Sequence, residues 1–141
     1  ATMSCELCQQ QGGELLWNSA LCRVVLIGDN DYPGFCRVVL NRHQQEMTDL
    51  PVDERNRVMQ VVFAVESALR NTLNPVKINL ACFGNMTPHI HWHVIPRFSD
   101  DRHFPQPVWG SEQRPGTAHG IDALAQQLRR QLSAVLGENQ R

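Results

Sequence analysis

Pro88-His89-Ile90-His91-Trp92-His93-Val94-Ile95-Pro96-Arg97 places three of the six histidines of a 141-residue chain at two-residue spacing. Side chains on a β-strand alternate between faces, so a strand from His89 to Ile95 presents three imidazoles on one side and Ile90, Trp92 and Val94 on the other. The apolar row is the packing side; the histidine row either faces solvent or does chemistry. At about 3.3 Å per residue, neighbouring histidines stand roughly 7 Å apart at Cα and the outer two roughly 13 Å. One metal ion with bonds of about 2 Å therefore takes two of them and leaves a ring free. A free imidazole titrates near neutrality and has two distinct nitrogens, so it can act as nucleophile, orienting donor or proton donor.

Working outward from this stretch, Gly84 to Pro88 is a turn and Val76 to Phe83 a preceding strand, itself preceded by the stop signal Asn74-Pro75. Before that the period changes. Val58, Val61, Val62, Val65, Ala68 and Leu69 recur every three or four residues, which predicts one amphipathic helix over Pro51 to Leu73 with Asp53 and Glu54 in its first turn. Leu21 to Ile27 and Phe35 to Leu40 read as an antiparallel pair around the turn signal Gly28 to Gly34, and a short strand near Trp17, a core candidate, makes five. After the motif, 97–116 is an irregular, proline-rich arm carrying Phe104 and Trp109, and 117–141 holds a second helix marked by Leu124, Leu128, Gln131, Leu132 and Val135, ending near Gly137. Strands and helices segregate, so the expected fold is α+β: one domain, 1–141, on an antiparallel sheet of about five strands with one long helix and a C-terminal helix.

Thirteen basic against fourteen acidic residues give no general attraction to nucleic acid or an anionic membrane, so neither is expected as a partner. No apolar run approaches a membrane span and no secretory signal is visible, from which a cytoplasmic location is expected. Five cysteines, an odd number, argue against a disulfide framework; Cys22, Cys36 and Cys82 fall on strands and are expected as buried thiols.

His89-x-His91-x-His93 followed by apolar residues resembles the histidine triad family, and the resemblance extends to Pro33-Gly34 between two apolar strands, to Arg42-His43 after the second, and to the helix and strand leading into the motif. It is greatest to the branch acting on dinucleoside polyphosphates and other nucleotidyl compounds. The resemblance implies a nucleotide substrate, a homodimer whose sheets run together, and His91 as the nucleophile that attacks an α-phosphorus. It implies that His93 contacts the phosphate or protonates the leaving group, with His89 completing the catalytic trio. Asn79, Gly84, Asn85 and Thr87 become candidates for the phosphate and its surroundings, with ordinary turn chemistry as the alternative for all four. Asp29, or its neighbours Asn30 and Asp31, becomes the candidate for the ribose. No catalytic cofactor is required. Many relatives carry another histidine directly after the Pro-Gly turn; Phe35 stands there and can neither donate a hydrogen bond nor carry a proton.

Cys5-x-x-Cys8 alone is weak evidence, a redox pair or two N-terminal thiols. By resemblance to some triad proteins and to galactose-1-phosphate uridylyltransferases, Cys5, Cys8, His43 and His89 become a structural zinc set, with residues 1–13 as a zinc-binding segment. The zinc would brace the strand without consuming His91. Two other functions compete with the enzyme: a nucleotide-binding or sensing module with reduced catalysis, suggested by Phe35, and a metal-dependent hydrolase, disfavoured by the lack of an acidic residue in the motif. His103 and Trp109 are expected either to reach an active site or, for Trp109 with Phe104, to pack on a dimer surface.

Overall fold

The computed structural model describes residues 5–139, so the first four residues of the 1–13 segment and the last two of the C-terminal segment lie outside the described residues. A short helix α1 (Glu6–Gln9) is followed by β1 (Glu14–Asn18), β2 (Cys22–Leu26), β3 (Cys36–Leu40), the long helix α2 (Val52–Leu73), β4 (Lys77–Ala81), β5 (His91–Arg97) and α3 (Leu124–Leu136). The strands form one antiparallel sheet in the order β1-β2-β3-β5-β4, which puts the histidine strand between β3 and β4. This is the α+β architecture that the sequence predicts.

One face of the sheet carries the main core. Val24, Val38 and Val94 point from neighbouring strands toward Val58, Val61, Val62, Val65 and Leu69 of α2 and toward Leu124, Leu128 and Leu132 of α3. Each fully buried aliphatic side chain contributes about 1.5–3 kcal/mol, which fixes the sheet's sidedness: a one-residue slip of β5 would exchange Trp92 and Val94 for imidazoles. Asn74 ends α2 in the left-handed conformation, φ 52°, immediately before Pro75. Trp17 is buried, and its indole N–H donates to the Gly137 carbonyl at 2.9 Å, tying the end of α3 to β1. Gly34 is required by close approach, since a Cβ there would stand 2.7 Å from Leu73 Cδ1 and 2.9 Å from Pro96 Cγ.

Two expectations need correction. The histidine strand begins at His91, not His89, because the chain at 89–90 bonds instead to the loop after β3: Ile90 N–H donates to the Gln44 carbonyl at 2.9 Å and Leu40 N–H to the Ile90 carbonyl at 3.1 Å. Cys82 is exposed, because β4 ends at Ala81 and Cys82 opens the following loop; Cys22 and Cys36 are buried as expected. Val135 lies on α3 as expected, with its side chain exposed. No helix among the described residues is long and apolar enough to cross a membrane.

Candidate functional site

The opposite face of the sheet carries the histidines. Because His89 precedes the strand, its ring turns away from the other two. Its Nε2 lies 2.6 Å from the Leu40 carbonyl, which can only accept, so Nε2 carries the proton and Nδ1 is left as a lone pair. That lone pair points at Cys5 Sγ (3.3 Å), His43 Nδ1 (3.3 Å) and Cys8 Sγ (3.5 Å), and Cys8 Sγ lies 3.3 Å from His43 Nδ1. All four ligand atoms lie within 4.8 Å of one another, a group that could hold a metal ion. Arg23 anchors the short N-terminal helix that brings the cysteines here. Its Nε donates to the Gln11 carbonyl, its Nη2 to the carbonyls of Leu7 and Gln10, and its Nη1 to Asn41 Oδ1, each at 2.9 Å. Nothing in the spacing of the sequence points to that anchor.

His91 and His93 lie on the strand proper, 7% and 5% exposed. The Nδ1 of His91 stands 2.6 Å from the His89 carbonyl, which fixes the proton on Nδ1 and leaves Nε2 with a free lone pair. Burial pushes the His91 imidazole below its ordinary value; the bond to the carbonyl works the other way and the charge of Arg37 adds to the lowering. For His93, burial, then Arg37 and then His91 push the pKa down to about 4, so the ring is neutral at physiological pH. Its Nδ1 is buried with no hydrogen-bond partner among the described residues.

Aromatic rings surround His93. Trp109 and His91 each lie 4.9 Å from it between centroids, Phe35 5.6 Å and Phe83 6.3 Å, and Trp109 also meets Phe83 edge-on at 4.9 Å. Trp109 thus reaches the histidines of its own chain, although half of its surface stays exposed. The arm that delivers it is held by a buried ion pair that the sequence does not announce. Asp101 accepts from Arg97 Nε at 2.8 Å, from the Tyr32 hydroxyl at 3.2 Å and from the backbone N–H groups of Phe98, His103 and Phe104 at 3.0, 3.1 and 2.8 Å. Burial alone would raise the Asp101 carboxyl, but these bonds outweigh it and hold the group well below the usual carboxylate range. His103 lies 2.6 Å from the Tyr32 hydroxyl and so braces the arm from outside the histidine row.

Asn79 shares the histidine face and its Oδ1 accepts from Arg97 Nη1 at 2.8 Å. With Phe83, Arg97 and Trp109 it lines a cavity of about 580 Å³ along β4. Gly84 adopts a positive φ of 71° in the loop entering the motif, where Asn85 is exposed and Thr87 half-buried. Asp29 lies at the far end of β2. Its Oδ1 accepts from the N–H groups of Asp31 (2.8 Å) and Tyr32 (3.2 Å), the chemistry of a turn, which leaves Oδ2 as the atom it can offer.

Two histidines of one strand thus lie buried side by side on this face, and a third is turned into a cysteine–histidine cluster. The HIT domain model matches residues 9–100, and the chain belongs to the HIT family. Among solved structures, it is similar to the histidine triad protein blr8122 of Bradyrhizobium japonicum, at 29% identity and TM-score 0.74 over 86% of this chain and 92% of that one. It is also similar to a histidine triad protein of Marinobacter aquaeolei VT8, at 28% identity and TM-score 0.68 over 89% and 90%. A Zn-bound histidine triad family protein of Mycobacterium smegmatis shares the fold, at 20% identity and TM-score 0.67 over 95% and 96%. No curated protein gives a significant match.

Proposed function

We propose that the protein is a nucleotidyl hydrolase or transferase that cleaves a phosphoanhydride or phosphoramidate bond at the α-phosphate of a nucleoside monophosphate moiety. The observation that carries the reading is the 2.6 Å contact between His91 Nδ1 and the His89 carbonyl, which commits the opposite nitrogen to a lone pair. In the first step that Nε2 lone pair forms a bond to the α-phosphorus. The bond from phosphorus to the leaving group breaks, and the leaving group departs with the electron pair. In the second step water or another hydroxyl attacks the same phosphorus and releases its proton to solvent, the N–P bond breaks, and its pair returns to Nε2.

His93, neutral and with its Nδ1 buried, offers the phosphoryl oxygens an N–H hydrogen bond rather than a proton. Gly84 and the backbone N–H groups of its loop, with the side chains of Asn85 and Thr87, are our candidates for the remaining phosphoryl contacts. Asn79 and the Oδ2 of Asp29 are our candidates for the nucleoside. Cys5, Cys8, His43 and His89 fit a tetrahedral zinc ion. With Zn–S of about 2.3 Å and Zn–N of about 2.0–2.1 Å, a tetrahedron separates N from N by about 3.3 Å and S from N by about 3.5 Å. In the structure the imidazole nitrogens stand 3.3 Å apart, three sulfur–nitrogen pairs stand at 3.3–3.5 Å, and all four ligand atoms lie within 4.8 Å of one another. Such an ion would supply a rigid cross-link between the N-terminal segment and the chain beside His91, and no catalytic cofactor enters the steps above. We also infer a cytoplasmic homodimer joined along β4, an edge of the sheet; light scattering at twice the chain mass tests the dimer.

The test is product analysis over dinucleoside polyphosphates and nucleoside phosphoramidates, with His91→Ala losing turnover while keeping its fold. The second reading, a nucleotide-binding or sensing module with reduced catalysis, is favoured by Phe35, which meets His93 with a ring edge where a hydrogen-bonding group would assist. Tight nucleotide binding without turnover across the same panel would decide for it.

A further inference from the structure

Arg37 has no part in the chemistry assigned above, yet it stands directly beside it. On β3 it is the cross-strand partner of His93, and its next same-face neighbour, Val39, pairs with His91. Paired residues share a face with Cβ atoms about 5 Å apart, so the guanidinium rises from the histidine side of the sheet. Its Nε is buried and unpartnered among the described residues, and none of their hydrogen bonds or ion pairs engages the rest of the group. Among the described residues the acid whose field reaches it is Glu6, exposed on α1.

The other arginines of this face are treated differently. Arg23 spends its guanidinium on three carbonyls and an amide oxygen, and Arg97 is bound by Asp101, Asn79 and the Gln106 carbonyl. A half-buried cation left without a counter-charge, next to two imidazoles whose protonation it opposes, costs the free protein stability. That arrangement becomes favourable when an anion enters, and the neighbouring aromatic rings strengthen the attraction by excluding water.

We propose that Arg37 binds the phosphate of the leaving group, so that the site selects phosphoanhydrides over phosphoramidates with a neutral amine leaving group. The proposal rests on the assignment of His91 as nucleophile. Arg37 lies in the row of His93, displaced from the row of His91 by two residues, or about 7 Å along the strand. It therefore reaches past the attacked phosphorus to the next group along the substrate. When the P–O bond of an anhydride breaks, the bridging oxygen keeps the electron pair and the departing phosphate gains one negative charge, which the guanidinium meets. When the P–N bond of a phosphoramidate breaks, the nitrogen keeps the electron pair, takes up a proton from solvent water and leaves as an uncharged amine, so the same cation gains nothing.

The experiment compares wild type with Arg37→Gln and Arg37→Lys on diadenosine tetraphosphate and adenosine 5′-phosphoramidate, with thermal unfolding in the presence and absence of inorganic pyrophosphate. Arg37→Gln is expected to lose about 100-fold in kcat/KM on the anhydride, the scale of one lost oxyanion donor, and under about threefold on the phosphoramidate. Arg37→Lys should recover part of the loss. Pyrophosphate should raise the unfolding temperature of wild type but not of Arg37→Gln, whose own stability should equal or exceed wild type. Equal losses on both substrates, no loss on the anhydride, or a variant that no longer folds would each overturn the proposal while leaving His91 in place. Wild type inert toward both substrates, with no nucleotide bound to His91, would instead remove the parent reading and this one together.

Discussion

Asp101→Ala removes the centre of the network that holds the Trp109 arm against the histidines. Asp101 is 1% exposed and Arg97 3%, so truncation leaves a guanidinium buried beside an empty space. Breaking a buried pair from one side costs about 3–5 kcal/mol, and part of the loss of three backbone N–H partners adds to it. Bonds from Arg97 to Asn79 and Gln106 persist, which argues for a total of about 4 kcal/mol. With an unfolding entropy of about 2.1 cal/mol/K per residue, that corresponds to a fall in melting temperature of roughly 13 °C for this chain. Urea titration and calorimetry measure the loss. A double variant, Arg97→Met with Asp101→Leu, should regain part of it, because the uncompensated charge goes as well. Indole fluorescence should report Trp109 leaving His93, with a rise in KM. A loss below about 1 kcal/mol would refute the reasoning, since it would mean that the pair is solvated or dispensable.

Strong chelation, or Cys8→Ser, should lower the melting temperature by several degrees and release about one zinc per chain by elemental analysis, while material that remains folded keeps its turnover. Loss of turnover in a fully folded apo-protein would point to a catalytic metal instead. His93 has its folded pKa depressed from the ordinary 6.5 to about 4, so the unfolded chain binds a proton that the native state refuses, and stability falls as pH drops through that window. Urea midpoints between pH 7 and pH 4.5 should show this slope, and His93→Gln should reduce it, with the lowered His91 retaining a part; an unchanged slope would count against a buried neutral ring. Trp109→Ala opens one side of the His93 enclosure and should raise KM more than it lowers kcat, because the indole is 51% exposed and covers the site rather than filling a core; unchanged kinetics would leave Trp109 as surface packing.

The fold was legible where a period carries it. Val58 to Leu69 at helical spacing and Val24, Val38 and Val94 on strands leave little choice about which faces meet. The geometry of the motif was misread: alternation alone aligns three imidazoles, whereas the hydrogen bonds of Ile90 to Gln44 and Leu40 turn His89 out of the row and into the cysteine cluster. The cysteine–histidine set came from resemblance; its closeness depends on Arg23 tying down α1, and an arginine's partners are not written in local sequence. Arg37 and the Arg97–Asp101 pair were illegible for a related reason. Their meaning lies in strand register and in the path of an irregular arm, both of which depend on contacts between residues far apart along the chain.

The central claim is that His91 Nε2 becomes covalently bonded to phosphorus. Acid-free quenching of the wild-type protein during turnover of diadenosine tetraphosphate, followed by intact-mass and peptide mass spectrometry, tests it most directly. A mass gain of one nucleoside monophosphate less water, located on His91 and labile to mild acid, is the expected result. Turnover with no adduct at any quench time, or an adduct carried by a residue other than His91, would contradict it.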